Sequence, residues 1–280
     1  MFRRIQASWE LIKASVEVLK ADKELLIFPI LSGIGVALVS VGFIVPLFAA
    51  DMFESLVAGL GTVAALLVGF LYYLIQYFVI FYANSALVAA ATIRLQGGDP
   101  TVKDGLQVAG SHAGNILGFA AIAATVGLIL NRSSRKKSGL VRLIASLAGM
   151  AWNVATFLVV PVLVNEGVGP LDAIKRSVEL LKRTWGEQIS GTLSMGAVFG
   201  LLGVGILLVG GGLIALVIWL NVWQLAIVIG ALMVIAWLAL GLMNSTLGGI
   251  FRAAVYHYAT TGQGGGFYDE DLVSHAFRRG

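Results

Sequence analysis

The chain has no cysteine, and only 12% of its 280 residues are charged. The first absence excludes disulfides and thiolate metal sites and leaves the redox compartment open. The second excludes a water-soluble globule. Soluble domains carry about 25% charged residues, and this chain lacks the polar surface to cover one. Proline is scarce, five in all. Three of these, Pro29, Pro46 and Pro161, sit near helix ends or make kinks that neighbouring helices can absorb. No secretory signal is expected, because charges recur through residues 1–24 and no apolar core precedes a cleavage site.

Catalytic signatures are missing as well. His112, His257 and His275 lie far apart with no HExxH pair. No phosphate-binding loop precedes a helix, no Gly-x-Ser-x-Gly elbow occurs, and no paired carboxylates fall in a predicted cleft. The expectation is a protein that is not an enzyme and holds no cofactor and no metal.

What the chain has in abundance is apolar surface, with 58% hydrophobic residues and a mean hydropathy of +0.91. Leu25–Ala50, Ser55–Ile93 and Gln188–Phe251 contain no charged residue. A crossing needs roughly 20 apolar residues, so the third run must hold two. The pattern predicts an all-α, polytopic membrane bundle of six transmembrane helices, about 25–49, 56–82, 114–130, 142–164, 188–212 and 222–248. The second and sixth continue as helix beyond the hydrocarbon.

An internal repeat organises these crossings. Ile5-Gln6-Ala7-Ser8-Trp9-Glu10-Leu11-Ile12-Lys13 is echoed by Ile174-Lys175-Arg176-Ser177-Val178-Glu179-Leu180-Leu181-Lys182. Phe2, Ile5, Trp9, Ile12, Val16 and Leu19 form one helical stripe, and Leu171, Ile174, Val178, Leu181 and Trp185 form another. Each reads as an amphipathic helix lying in the membrane interface, with Trp9 and Trp185 at headgroup depth and Lys13 and Lys182 toward the phosphates. The same periodicity also suits a helix packed on protein. Pro100–Gly114 is a fainter third copy, with Asp99-Pro100 as its start signal. Asn84-Ser85 and Asn244-Ser245 recur late in two apolar runs, at a similar offset of about 160 residues. Three units follow, 2–98, 99–168 and 169–262, each an interfacial helix plus two crossings. They form a single membrane domain over 1–262, and 263–280 is a short cytosolic tail ending in a helix from Asp269 to Arg279.

With both termini in the cytoplasm, nearly every Lys and Arg falls inside, while the first outer loop holds only Asp51 and Glu54. That is the positive-inside pattern. Asn131–Arg142 breaks it, because six crossings put its five basic residues outside.

Polar residues within crossings are the default functional candidates. Gln76, Asn84, Asn153 and Asn244 stand out, with Asn115, Asn165, Glu166, Asn221, Gln224 and Arg252 nearer the interfaces. Hydrogen bonding between helices accounts for such amides as readily as a pathway does, and Asn84 and Asn244 are expected to point inward at similar depth. Small residues gather on the first crossing of each unit: Ser32, Gly33, Gly35 and Ala37; Gly110, Gly114 and Gly118; Gly191, Gly196, Gly200 and Gly203. This spacing suits close helix contact within a protomer or in a homo-oligomer. The basic surface helices suit anionic lipid headgroups and not nucleic acid, since no base-stacking platform accompanies them.

The stretch Ala151-Trp152-Asn153-Val154-Ala155-Thr156-Phe157, then Val160-Pro161-Val162-Leu163, Glu166, Ala173-Ile174-Lys175-Arg176-Ser177 to Lys182, and Thr184-Trp185-Gly186-Glu187, resembles an uncharacterised family of prokaryotic six-helix membrane proteins, a domain of unknown function. More distantly, the amphipathic helix plus crossing is similar to the membrane domain of some glycerophosphodiester phosphodiesterases, without room for their catalytic domain. The resemblance implies a multipass protein of a prokaryotic cytoplasmic membrane and supplies no catalytic or binding residues. The expected role is structural, accessory or lipid-organising, with a channel or transporter as the alternative.

Overall fold

The computed structural model describes residues 2–49, 61–134, 139–185, 190–263 and 266–267. These are helical, with no strand among the described residues: α1 (Phe2–Ala21), a short 3-10 turn (Lys23–Leu26), α2 (Ile27–Ala49), α3 (Gly61–Leu95), α4 (Val102–Ser111), α5 (Ala113–Ser134), α6 (Gly139–Ala155), α7 (Val159–Glu166), α8 (Pro170–Trp185), α9 (Ser190–Trp219) and α10 (Trp223–Thr261). The outer loop with Asp51 and Glu54, residues 135–138 of the basic loop and the expected tail helix lie outside the described residues.

Local chemistry sets many of the boundaries. Asp22 caps the 3-10 turn by accepting the Glu24 N–H at 3.2 Å. Thr101 and Asp104 form a reciprocal capping box at the start of α4, two residues beyond the Asp99-Pro100 signal. Gly167, at φ +65°, closes α7, and Pro170 opens α8 at a first-turn position where no N–H is needed. Gly262, at φ +74°, ends α10 by returning its N–H to the Tyr258 carbonyl.

Six segments are long and apolar enough to cross a membrane: Lys23–Pro46, Leu66–Leu95, Ala113–Leu130, Gly139–Glu166, Val198–Trp219 and Trp223–Thr261. Two of them, α3 with 35 residues and α10 with 39, exceed what a bilayer needs. Their C-terminal ends run on into a packed cap.

The core lies in that cap. Ala86–Ala91 of α3, Val159–Val164 of α7 and Leu247–Tyr256 of α10 supply much of it, with Val18 and Leu19 of α1, Leu25, Phe28, Ala109 of α4, and Ala173 and Leu180 of α8. α3 is the central pillar, in contact with α2, α4, α5, α7 and α10. The other half of the molecule exposes its side chains, with Leu38 at 67%, Leu201 at 73% and Leu208 at 71%. Exposed large apolar residues recur through Ile30–Val45, Leu140–Met150 and Leu201–Leu238. A water-soluble monomer does not sustain an apolar surface so extensive, and lipid is the medium that suits it.

Three expectations need correction. The described part of the α1 stripe is not free for lipid: Ile12 and Leu19 are buried and Val16 is half-buried, and α1 packs on α10, which is the protein-packed alternative. On α8 the buried face is Ala173, Ser177 and Leu180–Leu181, rotated from the predicted stripe, so Leu171 is exposed. The predicted 142–164 crossing is two helices, broken at Thr156–Leu158. The Pro161 ring would meet the carbonyl of residue 157 in a continuous helix, so the chain breaks there and restarts with proline in its first turn. Ser177 fills the gap by accepting the Leu158 N–H at 3.1 Å in a buried site.

Candidate functional site

The polar candidates divide between two levels. In the exposed half, α2 and α3 meet at Gln76, whose side chain is nine-tenths buried. Its Nε2 donates to Ser40 Oγ at 2.7 Å and to the Val36 carbonyl at 3.3 Å. Ser40 Oγ lies 3.3 Å from the Tyr72 hydroxyl and donates to its own helix at Val36. Gln76 Oε1 is buried with no hydrogen-bond partner among the described residues. An aromatic ladder climbs beside this cluster, from Phe43 through Tyr72, Tyr73, Tyr77 and Phe81 to Phe119 and Trp152. It joins α2, α3, α5 and α6.

The matched asparagines share sequence but not surroundings. Asn84 is half-buried and donates back to Ile80 on its own helix at 3.0 Å. Asn244 is exposed, contrary to the inward direction expected of both. Asn153 is exposed as well. Neither amide has a hydrogen bond among the described residues. Asn165 bonds its own helix at the Pro161 carbonyl, and Asn115 reaches the Gly167 carbonyl at 3.2 Å. Asn221 is exposed in the far turn, and Gln224 is exposed in the first turn of α10. The structure brings none of Gln76, Asn84, Asn153 and Asn244 into a shared hydrogen bond.

At the cap, two charged groups tie helices together. Glu166, at the end of α7, receives Arg176 Nε at 3.1 Å on each oxygen, and Tyr256 of α10 donates its hydroxyl to Oε1 at 3.2 Å. Arg176 also reaches Glu179 at 3.1 Å. These bonds, to Glu166 first, raise the Arg176 guanidinium above its ordinary value and hold it charged. On the other side, Arg94 pairs with Asp99 and stands 3.6 Å from buried Asp22. Burial pushes the Asp22 carboxyl up, and Arg94 opposes the shift. Glu24 accepts the first N–H of α4, from Val102, at 3.1 Å. Thr101 holds the Asp104 carboxyl below its usual range.

The expected interface anchors are only partly described. Lys13 and Lys182 are exposed on the cap, whereas the side chains of Trp9 and Trp185 lie outside the described residues. Lys20, Lys23, Lys103 and Lys175 are exposed on the same end.

The Glu166–Arg176–Tyr256 group was only half legible in sequence. Glu166 and Arg176 flank a Gly-Val-Gly-Pro turn, a spacing that can fold one onto the other, but nothing marked Tyr256. The contact of Arg252 with Phe157, 5.7 Å from guanidinium carbon to ring centre, had no local signal at all. Among the described residues no group of three or more His, Asp or Glu could hold a metal ion. His112 spends its Nδ1 at the α4 end, near the Val108 carbonyl and Ser111 Oγ.

Residues 63–267 match the model of a family of unknown function (DUF6159). No curated protein and no solved structure matches the chain.

Proposed function

We propose, for a chain that belongs to this family of unknown function, a multipass integral membrane protein with a non-enzymatic, lipid-organising or accessory role in the cytoplasmic membrane of a prokaryote. The observation that carries this reading is the division of the molecule. A packed cap fringed by exposed lysines sits at one end, and a loosely packed, lipid-suited half stands at the other. Such a cap meets anionic headgroups through Lys13, Lys20, Lys103, Lys175 and Lys182. The positive-inside rule argues for the cap and both termini in the cytoplasm, with the Asn131–Arg142 loop outside despite its charge.

The three-unit arrangement is supported by element order: α1 precedes α2 and α3, α4 precedes α5 and α6, and α8 precedes α9 and α10. Close approach at Gly35, Gly118 and Gly203 fits packing within the protomer. Gly33, Gly114 and Gly200 have open space around them and are the positions free for a second copy. The distant resemblance to the membrane domain of glycerophosphodiester phosphodiesterases points toward lipid as well.

Transport is the second reading, favoured by one observation. Gln76 keeps a buried carbonyl oxygen with no partner among the described residues, next to Ser40 and Tyr72, a costly arrangement inside a bundle. Flux decides between the two. Vesicles containing the purified protein, challenged with a panel of inorganic ions and small polar solutes, are expected to match protein-free vesicles. Flux of any solute above that level, abolished by a folded Gln76→Leu variant, would put transport first.

A further inference from the structure

We infer that Asn244, Gly248 and Arg252 form a seat for one anionic glycerophospholipid, its phosphate held by Arg252 against the wall made by Phe157. The inference rests on the membrane reading above and names a specific ligand for it.

The three residues are four apart, so they lie on one face of α10 with about 6 Å of axial rise between neighbours. Each is unusual for its position. Arg252 is half-buried, with its guanidinium over the Phe157 ring, yet it has no ion pair among the described residues. α10 offers none, since Trp223–Thr261 contains no Asp or Glu. The other half-buried arginines of the cap are treated differently: Arg94 has Asp22 and Asp99, and Arg176 has Glu166 and Glu179. A guanidinium withdrawn from water without an anion is costly. The Phe157 ring stands 5.7 Å from its guanidinium carbon, and with no ion pair among the described residues its N–H groups remain for a planar, bidentate match to phosphate oxygens.

Gly248 and Gly249 split their roles. A Cβ on Gly249 would stand 2.3 Å from Leu87 Cδ2, so that glycine serves packing against α3. A Cβ on Gly248 would meet nothing within 4 Å, which leaves open space between Arg252 and Asn244. Asn244 is an exposed amide without a hydrogen bond among the described residues, on a helix whose neighbouring surface is apolar. There it needs an acceptor or donor from the surrounding medium, and a glycerol ester carbonyl is one.

Depth completes the assignment. The uncharged run Gln188–Phe251 ends at Arg252, the level at which phosphates meet the hydrocarbon. The phosphate would sit at Arg252, the glycerol over Gly248 and an ester carbonyl at Asn244. A headgroup without an ammonium is preferred, because a second cation beside Arg252 would be repelled.

The test uses the full chain, delipidated in detergent and titrated with phosphatidylglycerol, with the unfolding midpoint as readout. Wild type should show a saturable upward shift, and Arg252→Gln should weaken the apparent affinity about 10-fold, the scale of one charge-assisted contact. Gly248→Leu, which keeps the charge and fills the seat, should weaken it similarly and carries the test if Arg252→Gln does not fold. Phosphatidylcholine should shift the midpoint less. Equal shifts in wild type and both variants would overturn the proposal, as would the same saturable shift with inorganic phosphate alone. Flotation with vesicles separates the two levels. A variant that floats but has lost the lipid shift supports the seat. Wild type that fails to float would reject the membrane reading itself.

Discussion

Replacing Gly105 by alanine is expected to destabilise the folded protein by about 2 kcal/mol, within the range for overpacking a core. The added Cβ would stand 2.6 Å from the Ala86 carbonyl oxygen and 2.7 Å from Phe28 Cζ. Neither neighbour yields easily. One is the backbone of the central pillar α3, and the other is a ring that is 1% exposed. Alanine gains up to about 1 kcal/mol in helix propensity over glycine, so a net loss means the clash has won. Gly114→Ala is the matched control, since nothing lies within 4 Å of its Cβ, and it should be neutral or stabilising. Thermal unfolding in detergent compares them, and equal midpoints for Gly105→Ala and wild type would show that α4 does not approach α3 this closely.

Asp22→Ala should cost about 2–3 kcal/mol, from two losses. The cap on the 3-10 turn disappears, worth about 1 kcal/mol. Arg94 then keeps a largely buried guanidinium with one acid fewer, and breaking a buried pair costs roughly 3–5 kcal/mol. That second figure is reduced here because Asp99 still holds Arg94. Asp22→Asn retains the cap and should cost less. The pH dependence has a definite sign. Because burial raises the Asp22 carboxyl in the folded state, the folded protein binds its proton more tightly than the unfolded chain. Its contribution is therefore fully present below the ordinary carboxylate value and is lost as pH rises through the raised one. Denaturant titrations across that window should show the slope in wild type and not in Asp22→Asn. A slope unchanged by Asp22→Asn would assign the titration to another group.

Much of the fold was legible because crossing helices are fixed by composition over a length, and both can be counted in the sequence. The uncharged runs gave α2, α3, α9 and α10, and the extension of α3 and α10 past the hydrocarbon followed from their length. What α1 packs against was not legible. A stripe of period 3.6 reads the same toward lipid or protein, and only α10 alongside it decides. Pro161 was visible as a disturbance, but the break before it is closed by Ser177, nineteen residues from Leu158 in sequence. Asn84 and Asn244 warn against carrying sequence symmetry into geometry: the asparagine of the same dipeptide is half-buried on α3 and exposed on α10. Gly105 looked like any other glycine, because its significance comes from Phe28 and Ala86 across an interface. Arg252 was visible as a charge ending an apolar run, while Phe157 came to it only through the fold.

The central claim is that the helices cross a membrane with the cap on the cytoplasmic side. Since the chain has no cysteine, single cysteines report side without background. Lys103→Cys marks the exposed face of α4 in the cap, and Gln224→Cys marks the first turn of α10 at the far end. Labelling of intact cells with a membrane-impermeant thiol reagent should reach Gln224→Cys directly and Lys103→Cys only after permeabilisation. Labelling of both from one side, or of Lys103→Cys alone in intact cells, would contradict it.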